Sequence, residues 1–127
     1  MNWKRLGMVF DLNHQKPGWL KSHAMTPTPI IIDKVIRVYY TGRNYKGESL
    51  ISFVDFDIND PTRITYVHDK PLMDIGSIGM FDDCGTICTC AIKENSQIYL
   101  YYTAYSISHK VPYKNAIGLA VSEEDVQ

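Results

Sequence analysis

Tyr39-Tyr40-Thr41 returns as Tyr101-Tyr102-Thr103, 62 positions later. Few folds accommodate a chain that repeats itself on that scale. The surroundings of the two triplets match. Residues 28–32 read as a strand, Asp33-Lys34 as a tight turn, and residues 35–41 as a second strand in which Ile36, Val38 and Tyr40 alternate with Arg37, Tyr39 and Thr41. Residues 87–92, 93–96 and 97–103 repeat that succession. A third strand follows in each copy, at 49–57 and 115–121, and residues 64–67 add a fourth to the first copy after the Asn59-Asp60-Pro61 turn. A short strand at 3–10 and a polar loop at 11–18, with Pro17-Gly18, lead in. No segment carries a useful apolar stripe of helical period apart from a turn at 122–126, so the fold class is all-β.

Units of about four strands in series are the mark of a propeller more than of a sandwich. The chain then reads as a single partial domain, 1–127, with lead-in 1–18, a first blade at 19–70 and a second at 79–127. Two blades leave the ring incomplete. Repeats that bury their faces only against neighbours need about three or more units. The chain is therefore expected to continue into a longer protein, or to associate with copies of itself through its open blade edges.

Charge and composition limit the partners. Thirteen Lys and Arg against 14 Asp and Glu leave a net charge of −1 with no basic cluster, which argues against nucleic acid. The first residues lack a secretory apolar region, and no apolar run approaches the roughly 20 residues that span a bilayer, so the expectation is a cytoplasmic protein with no membrane partner. Nine Tyr against four Phe place many hydroxyl-bearing rings where sugars or a half-wet β-surface can use them. Three cysteines are an odd number, which fits a reducing compartment. On a regular strand Cys88 and Cys90 share a face, Cys84 precedes the turn, and no fourth ligand is near in sequence. The thiols read as core packing, with no metal and no cofactor expected.

Chemistry concentrates ahead of the second copy. Gly79-Met80-Phe81-Asp82-Asp83-Cys84-Gly85 sets two adjacent carboxylates between glycines at the mouth of a buried strand. The corresponding station in the first copy is Ser22-His23, before Pro27. Neighbours on an extended strand point to opposite faces. Asp82 and Asp83 are thus expected to point apart, one facing the funnel and the other holding the turn.

The order Trp3…Gly7-Met8-Val9-Phe10, Trp19…Ser22-His23-Ala24…Pro27-Thr28-Pro29, Ile36-Arg37-Val38-Tyr39-Tyr40-Thr41-Gly42-Arg43, Val54-Asp55-Phe56-Asp57, the acid turn, and Val111-Pro112-Tyr113-Lys114-Asn115-Ala116-Ile117-Gly118-Leu119-Ala120 resembles the N-terminal portion of five-bladed β-propeller glycosidase-like proteins. These are the relatives of glycoside hydrolase families 43 and 32 and of the mannoside phosphorylases of family 130. The resemblance runs through essentially the whole chain, where a full member has roughly 300 residues in a five-unit array. It implies a carbohydrate substrate, action on glycosidic bonds by the complete protein, and carboxylates converging in a central funnel.

By that resemblance Asp82 and Asp83 are the catalytic candidates, Arg43 contacts a sugar or an anion, and His23 supplies a polar contact at the first mouth. His109, Tyr113 and Asn115 lie in a loop that rims the funnel. Each has a plainer role: a turn cap for Asp82, an ion pair with Glu48 or Asp55 for Arg43, a local hydrogen bond for His23, a turn for Asn115. Trp3 and Trp19 are expected to pack rather than stack on sugar. Where relatives usually carry a Pro and small hydroxyl residues after the acid turn, this chain has Cys88, Thr89 and Cys90. In a hydrolase an Asp acts as base on water; in a phosphorylase, phosphate replaces water and Arg43 holds it. The alternatives are a non-catalytic glycan-binding module and an inactive fragment, and the chain alone is expected to be inactive.

Overall fold

The computed structural model describes residues 1–122. They form a helical turn, α1 (Leu12–Gln15), and seven strands: β1 (Ser22–Ile32), β2 (Val35–Arg43), β3 (Ser49–Asp57), β4 (Ile64–Val67), β5 (Gly85–Glu94), β6 (Gln97–Ile107) and β7 (Tyr113–Val121). The fold is all-β, a single mixed open sheet in the order β1-β2-β3-β5-β6-β7 with β4 on the side of β3. Both halves, β1–β4 and β5–β7, are antiparallel throughout. They meet in the sheet through one parallel pairing, Ser49 with Gly85. The second half shows three strands where the repeat suggests four.

The repeat has a local cause that can be seen in the hairpins. Asp33, after the Ile32–Val35 pair, has φ +50, and Asn95, after the Glu94–Gln97 pair, has φ +55. Two-residue hairpins need left-handed backbone, and Asp and Asn are the side-chain-bearing residues that adopt it most readily. Equal turns set equal registers: Thr28 faces Tyr39 as Cys90 faces Tyr101, and Met25 faces Thr41 as Ile87 faces Thr103.

The larger of the two core clusters spans both halves. Tyr39, Ile51 and Phe53, from one face of β2 and β3, pack with Cys88 of β5 and with Ile98, Leu100, Tyr102 and Ala104 from one face of β6. On the opposite face of β2 and β3, Tyr40, Val54 and Phe56 make a second cluster with Leu20, supported by Phe10 and Trp19. β3 is buried along nearly its whole length, and it carries a charge inside. Arg37 reaches Asp55 through Nε and Nη2 at 2.8 Å each, both residues buried, with the guanidinium 3.8 Å from the Phe53 ring centre. A forked pair of this geometry offsets part of the cost of removing two charges from water.

Several expectations need correction. Residues 3–10 form no strand: they have no partner to pair with, and Trp3, Leu6 and Met8 are exposed. What orders the lead-in is Phe10 against Tyr40, with ring centres 5.3 Å apart, and the cap that Asp11 gives α1 by accepting from the Asn13 amide. Trp19 packs as expected, whereas Trp3 does not. Cys88 and Cys90 do not share a face. A bulge between them turns Cys88 inward and leaves Cys90 exposed. The turn expected at 122–126 lies, beyond Ser122, outside the described residues.

Candidate functional site

The strand ends nearest Arg43 converge from both halves. The end of β2 brings Arg43, the start of β3 Ser49, β5 Ile87, the end of β6 Thr103 and Tyr105, the start of β7 Tyr113 and Asn115, and β1 Met25. They enclose a cleft of about 240 Å³. The Tyr105 hydroxyl donates to Ser49 Oγ at 3.0 Å, tying β6 to β3 across the join. Tyr113 stands edge-on to Tyr105, ring centres 5.9 Å apart at 60°. Gly85 makes this approach feasible. Its φ is +145, and a Cβ there would lie 2.7 Å from the Tyr105 hydroxyl and 3.0 Å from the Ser49 amide.

Arg43 is exposed at the cleft wall. The two acids that offered it an ion pair are otherwise engaged. Asp55 is bound by Arg37, and Glu48 accepts from the Asn44 side chain at 2.7 Å. Among the described residues the Arg43 guanidinium makes no ion pair.

The acid turn adjoins the cleft without lining it: the Cys84 amide donates to the Tyr105 carbonyl at 3.1 Å, but neither Asp82 nor Asp83 is among the lining residues. Asp83 holds the turn together: one oxygen accepts the Gly79 amide at 2.8 Å and the other the Cys84 thiol at 3.3 Å. Burial, then that hydrogen bond to Asp83, pushes the Cys84 thiol up from its ordinary pKa. Asp82 has a looser partner, the Tyr102 hydroxyl at 3.5 Å. The Tyr102 phenol is raised first by burial and then by the Asp82 charge. His23 has φ +69, shares a 2.7 Å hydrogen bond with the Ser22 hydroxyl and lies in the irregular stretch just after the Ser22–Arg43 pair, exposed and outside the cleft lining. His109 is exposed in the connection between β6 and β7.

Of the residues that the sequence singles out, the structure thus gathers Arg43, Tyr113 and Asn115, and leaves Asp82, Asp83, His23 and His109 outside the cleft lining. Sequence reasoning missed Met25, Ser49, Ile87, Thr103 and Tyr105. A signal existed for one: Tyr105 is the repeat counterpart of Arg43. Among the described residues no three His, Cys, Asp or Glu side chains cluster to hold a metal ion, and no helix is long and apolar enough to cross a membrane.

The fold class can now be set beside known structures. The chain is similar to the crystal structure of a putative glycosidase from Bacteroides thetaiotaomicron, with a TM-score of 0.54 and 21% sequence identity over 77% of this chain and 29% of that one. In sequence it is 35% identical over 124 residues to uncharacterized proteins of Mycobacterium tuberculosis, from strains CDC 1551 and H37Rv. That match takes in 97% of this chain and 41% of each relative, so the chain spans less than half the length of the curated relatives it matches. No family model matches the chain.

Proposed function

We propose that the chain supplies two neighbouring blades, β1–β4 and β5–β7, of a five-bladed propeller of the glycoside hydrolase and phosphorylase kind, and that its cleft contacts the carbohydrate. The observation that carries this reading is the cleft's lining: two tyrosine rings, a guanidinium without an ion pair among the described residues, an amide and two hydroxyl residues converge at the join of both halves. A sugar has apolar ring faces and neighbouring hydroxyls. Aromatic rings cover the first, and forked donors and amides take the second. The fold likeness to the Bacteroides protein points the same way.

Bond cleavage needs two carboxylates about 5 to 9.5 Å apart. Among the described residues none lines the cleft. Asp82 is the better catalytic candidate of this chain, because a single long phenol contact holds it while Asp83 is committed to the turn. The opposing acid then enters from another blade. In the complete protein Asp82→Asn abolishes turnover and Asp83→Asn mainly lowers stability; full turnover in both variants would remove the acid turn from the mechanism. A lining without carboxylates also favours a second reading, a glycan-binding module with no chemistry.

Titration calorimetry of the chain against disaccharides of differing sugar and linkage, with and without inorganic phosphate, tests the cleft. Saturable binding is expected, weakened about tenfold or more by Arg43→Ala and by Tyr113→Ala. If Arg43 holds phosphate, its loss removes the phosphate dependence as well. Absence of saturable binding across the panel refutes the carbohydrate reading.

A further inference from the structure

The guanidinium of the cleft stands at the root of a turn. Arg43 faces Ser49 in the register of β2 and β3, both line the cleft, and residues 44–48 between them close the hairpin. One step out, Asn44 and Glu48 face each other. The Asn44 amide donates to the Glu48 carbonyl at 3.0 Å, and the Gly47 amide to the Asn44 carbonyl at 3.1 Å. Gly47, with φ +84, supplies the left-handed residue that so short a closure needs.

Both ends of the Asn44 side chain are engaged. Its Oδ1 accepts the Lys46 amide at 2.9 Å and the Glu48 amide at 3.0 Å, while its Nδ2 donates to the Glu48 carboxylate at 2.7 Å. Two main-chain donors on the oxygen fix which way the amide lies, and so turn the nitrogen to Glu48. Capping the turn requires the oxygen alone, a role that Asp fills as readily as Asn. The nitrogen has a separate effect: it holds a carboxylate. Glu48 is the acid adjacent in sequence to a residue of the cleft lining, and its long side chain starts across the hairpin end from Arg43. Paired with Arg43, it would occupy the forked donors and cancel their charge.

We propose that Asn44 is a positioning residue for the cleft: by holding Glu48, it keeps the Arg43 guanidinium open to the paired oxygen acceptors of a ligand. What Arg43 then binds rests on the carbohydrate reading above; the arrangement itself does not. The turn lies within the first half and needs no neighbouring unit to form it.

Phenylglyoxal modification of the full 127-residue chain, followed by mass mapping of its peptides, tests this without any ligand. The reagent attacks the neutral guanidine, so a paired carboxylate, which favours the charged form, slows it. Asn44→Ala is expected to slow modification of Arg43 about two- to fivefold, the size of an exposed ion pair. The double variant Asn44→Ala/Glu48→Gln should regain the wild-type rate. Arg63, paired with Asp57 in every variant, is the reference within each digest. Should Asn44→Ala fail to fold, Asn44→Ser keeps a side-chain oxygen for the turn and is read in the same way. An Arg43 rate unchanged by the single variant overturns the proposal. So does a slowed rate that Glu48→Gln fails to restore, because Asn44 is then a turn cap and nothing more. A chain that shows the rescue yet binds no sugar in calorimetry refutes the carbohydrate reading while upholding the hold of Asn44 on Glu48.

Discussion

Arg37 and Asp55 in the first half occupy the same station as Tyr99 and Val121 in the second, each a cross-strand pair between the middle strand and the one after it. The charged pair is buried, while Val121 of the apolar pair is 41% exposed. Polarity alone would place them the other way round. What differs is cover: Arg37 stacks on Phe53 in a cavity closed by Leu72, Met73 and Leu100, whereas Val121, which meets the same cavity, stays partly open to solvent. Burial here follows from position in a stack of units, and the side chains adapt to it.

The comparison breaks most easily at the charged pair. Asp55→Ala strands a guanidinium that is 2% exposed, and urea unfolding should register a loss of about 3 to 5 kcal/mol; a loss near zero would mean that Arg37 finds water after the change. Next comes an alkaline effect that is largest in the first half, at Tyr40, with Tyr102 raised in the same direction in the second. Burial raises the Tyr40 phenol to about 12. Its neutral form is the one that the fold favours, so the associated stability is whole below the unfolded value near 10 and drains away between there and about 12. The loss amounts to about 2 to 3 kcal/mol over that interval. Tyr40→Phe should flatten this limb, and an unchanged alkaline melt would show that Tyr40 is not its source.

A smaller effect separates Gly118 from its counterpart Ser52, which sit beside Tyr102 and Tyr40 respectively. Ser52 fits its place and donates to the Lys70 carbonyl at 2.9 Å. A Cβ on Gly118 would come within 2.2 Å of the Tyr102 ring. Gly118→Ala should therefore cost about 1 to 3 kcal/mol in denaturant titration, and a neutral result would show that the ring shifts freely. Smallest is Val121→Ala, expected within about 0.5 kcal/mol of wild type in dilute protein. A larger loss would mean that Val121 is covered even there.

Much of the fold was legible because β-structure writes itself locally. Residues 49–57 and 64–67 are strands to the residue, and the alternation of 35–41 puts Tyr39 and Tyr40 on opposite faces as the pattern implies. The hairpin turns at Asp33 and Asn95 needed only turn chemistry. The failures are non-local. Residues 3–10 have strand composition but no edge to pair with, the bulge at Thr89 has no signature in Cys88-Thr89-Cys90, and Asp55 chose Arg37 through cross-strand register rather than Arg43. At the cleft, Arg43 was legible as a strand-end residue, while Tyr113 and Asn115, read as part of a rimming loop, belong to the start of β7. Ser49 and Tyr105 were not legible, because their 3.0 Å contact spans 56 positions of sequence.

The lone parallel pairing of Ser49 with Gly85 means that little main-chain hydrogen bonding ties one half to the other. Cohesion there comes from side chains, which can part without unravelling either hairpin. Sub-global opening along that seam would expose the shared core while leaving the main-chain ladders of both halves intact. Ser49 lines the cleft and Gly85 backs its Tyr105 wall, so an occupant touching both sides would act as a rivet: it binds the closed form alone and holds the seam shut more firmly as its concentration rises. Amide exchange in β5 and β6 would then slow as the cleft fills, an occupancy gauge that requires no knowledge of the chemistry performed there.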